Sequence, residues 1–154
     1  MIETARRKSE ASGFTAVHRL LVVEDDAEMR SLLVEALASE GRKVYDVADG
    51  EQAIHRLRTE ASFDVVVSDI KMPNRDGHAV LQEVVENHPR TKVVLITAFG
   101  EVDEYLDAMN RGAFEYLVKP LKMVDLTRVV NRALSEIPGG RMAAKPGRGA
   151  QRNA

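Results

Sequence analysis

Polar residues that could build a metal and phosphoryl site stand at the ends of four apolar runs in this sequence. Asp25 and Asp26 follow the first run, Asp69 ends a later one, and two further runs end at Thr97 and at Lys119. If these runs are neighbouring strands of one parallel sheet, their carboxyl ends meet at the same edge, where open α/β sheets place their ligand sites. The spacing therefore predicts that three carboxylates, a hydroxyl and an ammonium group lie close together.

Crowded carboxylates of this kind favour a bound cation. Like charges repel each other unless a cation or protons neutralise them, and oxygen ligands without cysteine suit Mg²⁺. The Lys119 ammonium group and the Thr97 hydroxyl could both contact an incoming phosphoryl group. Two local interpretations stay open, because Asp69 alone could cap a turn and Asp25 alone could be the N-cap of the following helix. Together these residues predict a Mg²⁺-dependent, phosphoryl-handling pocket centred on Asp69.

The apolar residues around these positions alternate between the period of strands and the period of helices. Short apolar or alternating stretches predict five strands, and a stretch with helical spacing follows each of them. This alternation indicates a doubly wound parallel sheet of the α/β class. The predicted strands are 18–23, 43–48, 63–69, 92–97 and 114–119, and the apolar faces of the predicted helices span 29–37, 53–57, 80–85, 102–109 and 126–134.

Composition and charge limit the classes of protein to consider. The 154 residues suit one domain, placed at 18–137, between a flexible extension at 1–17 and a disordered basic tail at 138–154. Residues 20–137 carry 22 acids and 14 bases, so nucleic-acid binding is not expected of the domain. The absence of cysteine excludes disulfides and thiolate metal sites. Without a membrane-spanning run or an apolar leader, we expect a cytoplasmic protein that does not contact membranes.

Four segments that contain these residues resemble the receiver domain of two-component response regulators. They are Leu-Val-Val-Glu-Asp-Asp26, Val-Val-Ser-Asp69-Ile-Lys-Met-Pro-Asn-Arg-Asp-Gly77, Leu-Ile-Thr97-Ala and Tyr116-Leu-Val-Lys119-Pro120. The resemblance extends over about residues 18–137. It implies a flavodoxin-like, five-stranded parallel sheet in the order 2-1-3-4-5 with five helices, which agrees with the periodicity.

The resemblance also implies roles for the acids. Asp69 matches the acid that attacks the phosphohistidine of a partner kinase and becomes an aspartyl phosphate. Asp25 and Asp26 match the acidic pair that holds Mg²⁺, with Asp26 as the direct ligand and Asp25 acting mainly through water. The backbone carbonyl of Lys71 would supply a further oxygen whatever its side chain. The metal would neutralise charge on the transferring phosphoryl oxygens.

Residues at the ends of the last two strands receive roles in the same way. Lys119 matches the lysine that pairs with the phosphoryl group, and the Lys119–Pro120 peptide bond is expected to be cis. Thr97 matches the hydroxyl that turns toward the phosphoryl group. Tyr116 matches the aromatic residue whose inward or outward pose follows Thr97. On pattern alone, Thr97 could be an ordinary strand-end residue and Tyr116 a packing residue.

The resemblance implies a phosphorylation-controlled signalling module rather than a conventional enzyme. We expect a sensor histidine kinase or a histidine phosphotransfer protein to deliver the phosphoryl group and a downstream target protein to bind the switched face, with the domain a monomer or a switch-dependent dimer. The short stretch after Ile137 leads us to expect a stand-alone receiver without an output domain. Two alternatives are a receiver that binds partners without taking phosphate and a phosphatase that forms a phosphoaspartate. The phosphatase is disfavoured because it needs a second acid where Lys71 stands.

Two further features lead to hypotheses about lifetime and switching. Lys71 and Phe99 flank the approach of water to Asp69, and the bulk of Phe99 could shield a phosphoaspartate, which predicts a comparatively long-lived phosphoryl group. The helix predicted at 101–110 has a thin apolar face, which suits an element with two poses of similar energy.

Overall fold

The computed structural model describes residues 17–39, 41–98 and 100–137. Residues 1–16 of the predicted extension, the predicted tail at 138–154, and Phe99 therefore lie outside the described residues. The described helices are all too short or too polar to cross a membrane.

Five parallel strands form one sheet in the order β2-β1-β3-β4-β5. Because parallel neighbours need a crossover connection, a helix lies between each strand and the next along the chain. The strands are β1 (His18–Val23), β2 (Arg42–Val47), β3 (Val65–Asp69), β4 (Lys92–Thr97) and β5 (Glu115–Val118). The helices are α1 (Ala27–Leu37), α2 (Gly50–Thr59), α3 (Gly77–Asn87), α4 (Val102–Asn110) and α5 (Met123–Ser135).

The three central strands are buried because helices cover both faces of the sheet. Successive side chains of a strand point to opposite faces, so Val22 of β1 packs in one core and Val23 in the other. The core around Val23 also contains side chains from α2, α3 and α4, and the core around Val22 contains side chains from α1 and α5. A continuous β-branched run, such as 65–67 in β3, suits a strand that is buried in this way.

The predicted fold class is confirmed, including the strand order 2-1-3-4-5 and the five helices. Three strands differ from the predicted bounds by one or two residues at an end, and the clearest case is β3, which begins at Val65 rather than at Phe63. Phe63 still packs in the core. The Asp64 side chain, however, accepts the backbone N–H of Arg19 at 2.9 Å, so the regular ladder starts one residue later.

Candidate functional site

Asp69 is the last residue of β3, at the carboxyl edge of the sheet, and is 7% exposed. The chain turns directly after it: the Ile70 N–H donates to the Ile96 carbonyl, and the Gly77 N–H donates to the Ile70 carbonyl. A Cβ atom at Gly77 would lie 2.5 Å from the Asp69 carbonyl oxygen, so a side chain at this position would displace backbone. The loop after Asp69 is therefore packed tightly against the backbone of the acid.

Lys119, just after β5, brings its ammonium group to two buried acids. Its Nζ atom lies 3.4 Å from Oδ2 of Asp69 and 3.7 Å from Oε1 of Glu24. The Lys119 backbone N–H donates to the Thr97 carbonyl at 2.8 Å, which ties this end of β5 to β4. The Lys119–Pro120 peptide bond is cis, as predicted. Asp69 and Lys119 thus contact each other, although β4 separates their strands in the sheet.

Glu24, Asp25 and Asp69 form an acidic cluster in which one carboxylate oxygen from each residue lies within 4.8 Å of the others. Glu24 is 1% exposed, and its Oε1 atom has no hydrogen-bond partner among the described residues. The Lys119 ammonium group lies 3.7 Å from this oxygen but also 3.4 Å from Asp69, so one positive charge faces three carboxylates. Buried negative charge of this kind is costly unless a further cation or a proton neutralises it. Clustered hard oxygens also match the ligand preference of Mg²⁺. The residues present therefore fit the Mg²⁺ that the sequence predicts.

Burial perturbs the two inner acids of this cluster. It raises the pKa of Glu24 to about 7, against the hydrogen bond from the Asp26 N–H, and the nearby charge of Asp69 adds to the rise. Burial likewise raises the pKa of Asp69, while the Lys119 charge and hydrogen bond lower it. The charged forms of both acids are thus disfavoured by their surroundings, a condition that a bound cation would relieve.

Asp26, predicted to be the direct metal ligand, is not part of this cluster. Its Oδ2 atom accepts the Met29 N–H at 2.8 Å, so the exposed side chain is the N-cap of α1. The third acid of the cluster is Glu24, which the sequence prediction missed. Two signals pointed to it: Glu24 is the first residue after the apolar run of β1, and an Asp directly before a helix is a typical N-cap. Of the predicted metal residues, Asp25 and Asp69 thus lie in the cluster with Glu24, and Asp26 does not; metal binding itself stays a prediction.

Thr97 ends β4 and Tyr116 lies on the adjacent β5, two positions back in register, where it pairs with Leu95; both residues are buried. The Tyr116 hydroxyl donates to Oε1 of Glu104 on α4 at 2.9 Å, and its ring packs edge-on against Tyr105 with the centroids 5.7 Å apart. Burial, followed by the hydrogen bond and the charge of Glu104, raises the pKa of Tyr116 to about 12, although a hydrogen bond with Thr97 acts in the opposite direction. The link to Glu104 was not predicted, since nothing in the sequence distinguishes this acid from its neighbours on α4.

The predicted roles of Lys71 and Phe99 are not tested by the geometry of the described residues. The Lys71 side chain is exposed, and the role of its carbonyl as a metal ligand stays a prediction. Phe99 lies outside the described residues, so the predicted shielding of a phosphoryl group also stays a prediction.

Comparison with known proteins supports a single family. The family model for the response regulator receiver domain matches residues 20–131. Regulatory protein AtoC of Escherichia coli is 38% identical over 120 residues, which are 78% of this chain and 26% of that protein. Response regulator protein FleR of Pseudomonas aeruginosa is 40% identical over 122 residues, 79% of this chain and 26% of that protein. The chain thus spans about a quarter of the length of these curated relatives.

A solved structure extends the agreement to three dimensions. The response regulator receiver domain protein (CheY-like) from Methanospirillum hungatei superposes with a TM-score of 0.73 at 26% identity, covering 79% of this chain and 96% of that one. The sheet order, the acidic cluster at its carboxyl edge and the Asp69–Lys119 contact accompany this similarity. The chain therefore belongs to the family of response regulator receiver domains of two-component systems.

Proposed function

We propose that Asp69 accepts a phosphoryl group from the phosphohistidine of a sensor histidine kinase or a histidine phosphotransfer protein, and that this event changes a protein-binding face. The observation that carries the proposal is the position of the Asp69 carboxylate, 3.4 Å from the Lys119 ammonium group and within the acidic cluster. A nucleophile, a counter-charge and a metal-type ligand set meet there at one edge of the sheet.

In the proposed transfer, a carboxylate oxygen of Asp69 attacks the phosphorus atom in line with the leaving imidazole. The phosphorus–nitrogen bond of the phosphohistidine breaks and the phosphorus–oxygen bond of the aspartyl phosphate forms. The departing ring nitrogen keeps the electron pair, and the imidazole leaves neutral because its other ring nitrogen carries a proton during the transfer. The Lys119 ammonium group pairs with the Asp69 carboxylate before the transfer and with the phosphoryl oxygens after it. When bound by Glu24 and Asp25 together with Asp69, Mg²⁺ supplies positive charge to the same oxygens.

The proposed switch runs from Thr97 through Tyr116 to α4. A phosphoryl group on Asp69 offers new acceptor oxygens to the Thr97 hydroxyl at the end of the neighbouring strand. Turning Thr97 toward them changes its hydrogen bond with Tyr116, which in turn holds Glu104 on α4. The pose of α4 then depends on phosphorylation.

The face that would respond lies on α4. Val102, Tyr105 and Leu106 are 73%, 40% and 51% exposed, so a target protein or a second copy of the domain could cover them at little conformational cost. We call this set the α4 face. Its apolar area next to the Tyr116–Glu104 contact supports a protein partner rather than a small molecule.

Phosphotransfer from a panel of phosphorylated sensor kinases, with Mg²⁺, tests the acceptor. We expect label on the wild type and none on Asp69→Asn, because the amide is not a nucleophile. The circular dichroism spectrum and the unfolding midpoint of this variant serve as the control for folding. Label on Asp69→Asn at the wild-type rate would refute the assignment.

A second experiment tests the corrected ligand set. Asp25→Asn removes a charge from the cluster and is expected to weaken Mg²⁺ binding about tenfold or more. Asp26→Ser is the matched control, since it removes the same charge one residue away while serine keeps the N-cap of α1. Equal losses of Mg²⁺ affinity in the two variants would contradict the proposed ligand set with Glu24 in place of Asp26.

A further inference from the structure

The turn after β2 contacts the loop that follows Asp69. Nδ2 of Asn74 donates to Oδ2 of Asp49 at 2.7 Å, and the Gly50 N–H donates to the Arg75 carbonyl at 3.0 Å. These two bonds join segments that are 25 residues apart in the chain. We call this pair of bonds the Asp49–Asn74 contact.

Both sides of the contact are conformationally constrained. Asn74 has a φ of 64°, and it is the one residue other than glycine with a positive φ in the described parts of the chain. Asparagine is among the few residues that adopt this conformation at modest cost. On the other side, a Cβ atom at Gly50 would lie 2.0 Å from the Arg75 carbonyl oxygen, so the close approach of the two backbones requires glycine.

Asp49 connects the loop to a rigid element. Its Oδ1 atom accepts the Gln52 N–H at 2.8 Å and caps α2, while its Oδ2 atom accepts from Asn74. The residue is 9% exposed. One carboxylate oxygen of Asp49 therefore caps α2 and the other binds Asn74, which holds the loop after Asp69 to the buried start of α2.

The two ends of the same loop are held independently. At its start, Ile70 is bonded to Ile96 of β4, and at its end Asp76 caps α3 by accepting the N–H groups of His78 and Ala79. Between these ends, the Asp49–Asn74 contact joins the loop at 74–75 to the start of α2, and the partly buried Met72 packs against the core. The middle stretch of the loop, 71–75, begins two residues after Asp69.

We infer that Asp49 and Asn74 are positioning residues for the candidate metal and phosphoryl site. Their contact sets the path of the loop at 71–75, which includes the Lys71 carbonyl predicted to face the metal. The inference rests on the proposed function and adds to it that the turn after β2 determines how well the pocket beside Asp69 is formed. Loss of the contact weakens Mg²⁺ binding without unfolding the domain.

Two substitutions remove the side-chain bond of the contact while keeping the local structure of each partner, and both leave the backbone bond from Gly50 to Arg75 in place. Asp49→Ser retains an N-cap residue for α2, but its side chain is too short to reach Asn74. Asn74→Gly retains access to positive φ and loses the amide. Asp103→Ser, an exposed acid in the first turn of α4, is the matched control for the lost charge.

Mg²⁺ affinity and loop protection are measured on fully folded protein. We expect Asp49→Ser and Asn74→Gly each to raise the Mg²⁺ dissociation constant about tenfold, the double variant to lose little more than either alone, and Asp103→Ser to match the wild type. Hydrogen exchange without metal is expected to speed up at 71–75 in the first two variants and to remain unchanged in α5. Unfolding midpoints confirm that each variant is folded at the temperature used.

The outcomes separate the two proposals. Wild-type affinity and wild-type loop protection in both variants, with Mg²⁺ bound normally by the wild type, overturn the positioning role and leave the proposed function intact. A wild type that does not bind Mg²⁺ overturns the proposed metal site and the positioning role with it. Losses that are fully additive in the double variant also overturn the contact as the cause.

Discussion

Helices α3 and α4 follow neighbouring strands at the same edge of the sheet, yet they are held very differently. The N-cap of α3, Asp76, accepts two backbone N–H groups, whereas the N-cap of α4, Glu101, makes no side-chain cap bond. Five residues of α3 are buried, against Ala108 alone in α4, whose residues all lie in the described part of the chain. Helix α3 is therefore held by its N-cap and by buried side chains, whereas α4 has few such contacts with the rest of the domain.

Contacts with neighbouring elements increase this difference. On α3, buried Glu83 accepts two hydrogen bonds from Arg58 of α2, at 2.8 and 3.1 Å, and lies 3.2 Å from His88. On α4, the hydrogen bond from Tyr116 to Glu104 is the polar link to the sheet described above. The region beside Asp69 is thus fixed on several sides, which suits chemistry that needs a preorganised site.

The contrast teaches where the domain can change at low cost. Regions with few buried contacts open and shift at small free energies, and switching elements come from such regions. The candidate site at Asp69 lies beside the firmly held α3, and the proposed partner-binding α4 face lies on the loosely held helix. This arrangement lets α4 change its pose while the geometry of the site is preserved.

The largest expected effect comes from truncating matched leucines. Leu81 of α3 is 1% exposed and Leu106 of α4 is 51% exposed. Leu81→Ala is expected to lower the free energy of unfolding by about 2–5 kcal/mol because it leaves a cavity, while Leu106→Ala is expected to change it by less than about 0.5 kcal/mol. Urea unfolding followed by circular dichroism measures both. Similar losses would mean that α4 is as firmly packed as α3.

Two glycines give the next comparison. A Cβ at Gly50 meets the Arg75 carbonyl, a backbone atom, whereas a Cβ at Gly100 lies 2.4 Å from a methyl group of the half-exposed Val118 side chain. Gly50→Ala is expected to cost about 1–3 kcal/mol of unfolding free energy, since backbone must shift. Gly100→Ala is expected to cost under about 1 kcal/mol, since the Val118 side chain can rotate away. Chemical denaturation of the two variants decides between these expectations, and a larger loss for Gly100→Ala would reverse the ranking.

The stability that Glu83 of α3 contributes is expected to depend on pH. The Arg58 hydrogen bond lowers the pKa of Glu83 below its ordinary value of 4.5, and His88 adds to the effect. Because the folded pKa is depressed, this stabilisation is complete at neutral pH and is lost as the pH falls through the lowered value. Glu83→Gln is therefore expected to be about 1 kcal/mol less stable at pH 7, with the difference from wild type shrinking below pH 4.5.

The control for this prediction is an ion pair on α4. Asp107 pairs with Arg111 at 3.0 Å, and both side chains are exposed. Asp107→Asn is expected to change stability by less than about 0.5 kcal/mol at pH 7. Unfolding free energies across the same pH range check both variants. A difference for Glu83→Gln that does not depend on pH would contradict the ionic origin.

The smallest expected effect is local to α4. Tyr116→Phe removes the hydroxyl that holds Glu104, and we expect a loss of about 1 kcal/mol or less. Amide exchange in α4 is expected to speed up while exchange in α3 stays at its wild-type rate. Glu104→Gln, which keeps an acceptor oxygen, is expected to have the weaker effect of the two. Equal acceleration in α3 would show that the two helices open together.

Most of the fold could be predicted because it depends on local patterns. The β-branched run before Asp69, the helical spacing after Ala27 and the turn residues after Met72 each act within about ten residues of chain. Runs of apolar residues that end in single polar residues also predicted that Asp69 and Lys119 meet at one edge. The right-handed connections of parallel strands then leave few possible arrangements.

The sequence by itself thus determined the sheet, its helices and the edge at which the candidate site lies. Only the tertiary structure decided which acids share that edge, because Glu24 and Asp26 are two residues apart and the helix cap takes one of them. The bond between Asp49 and Asn74 was likewise decided in three dimensions, since it joins two turns through a strand order that places β2 beyond β1. Periodicity reports which face a residue lies on, and the partner of a polar group depends on packing between elements far apart in the chain.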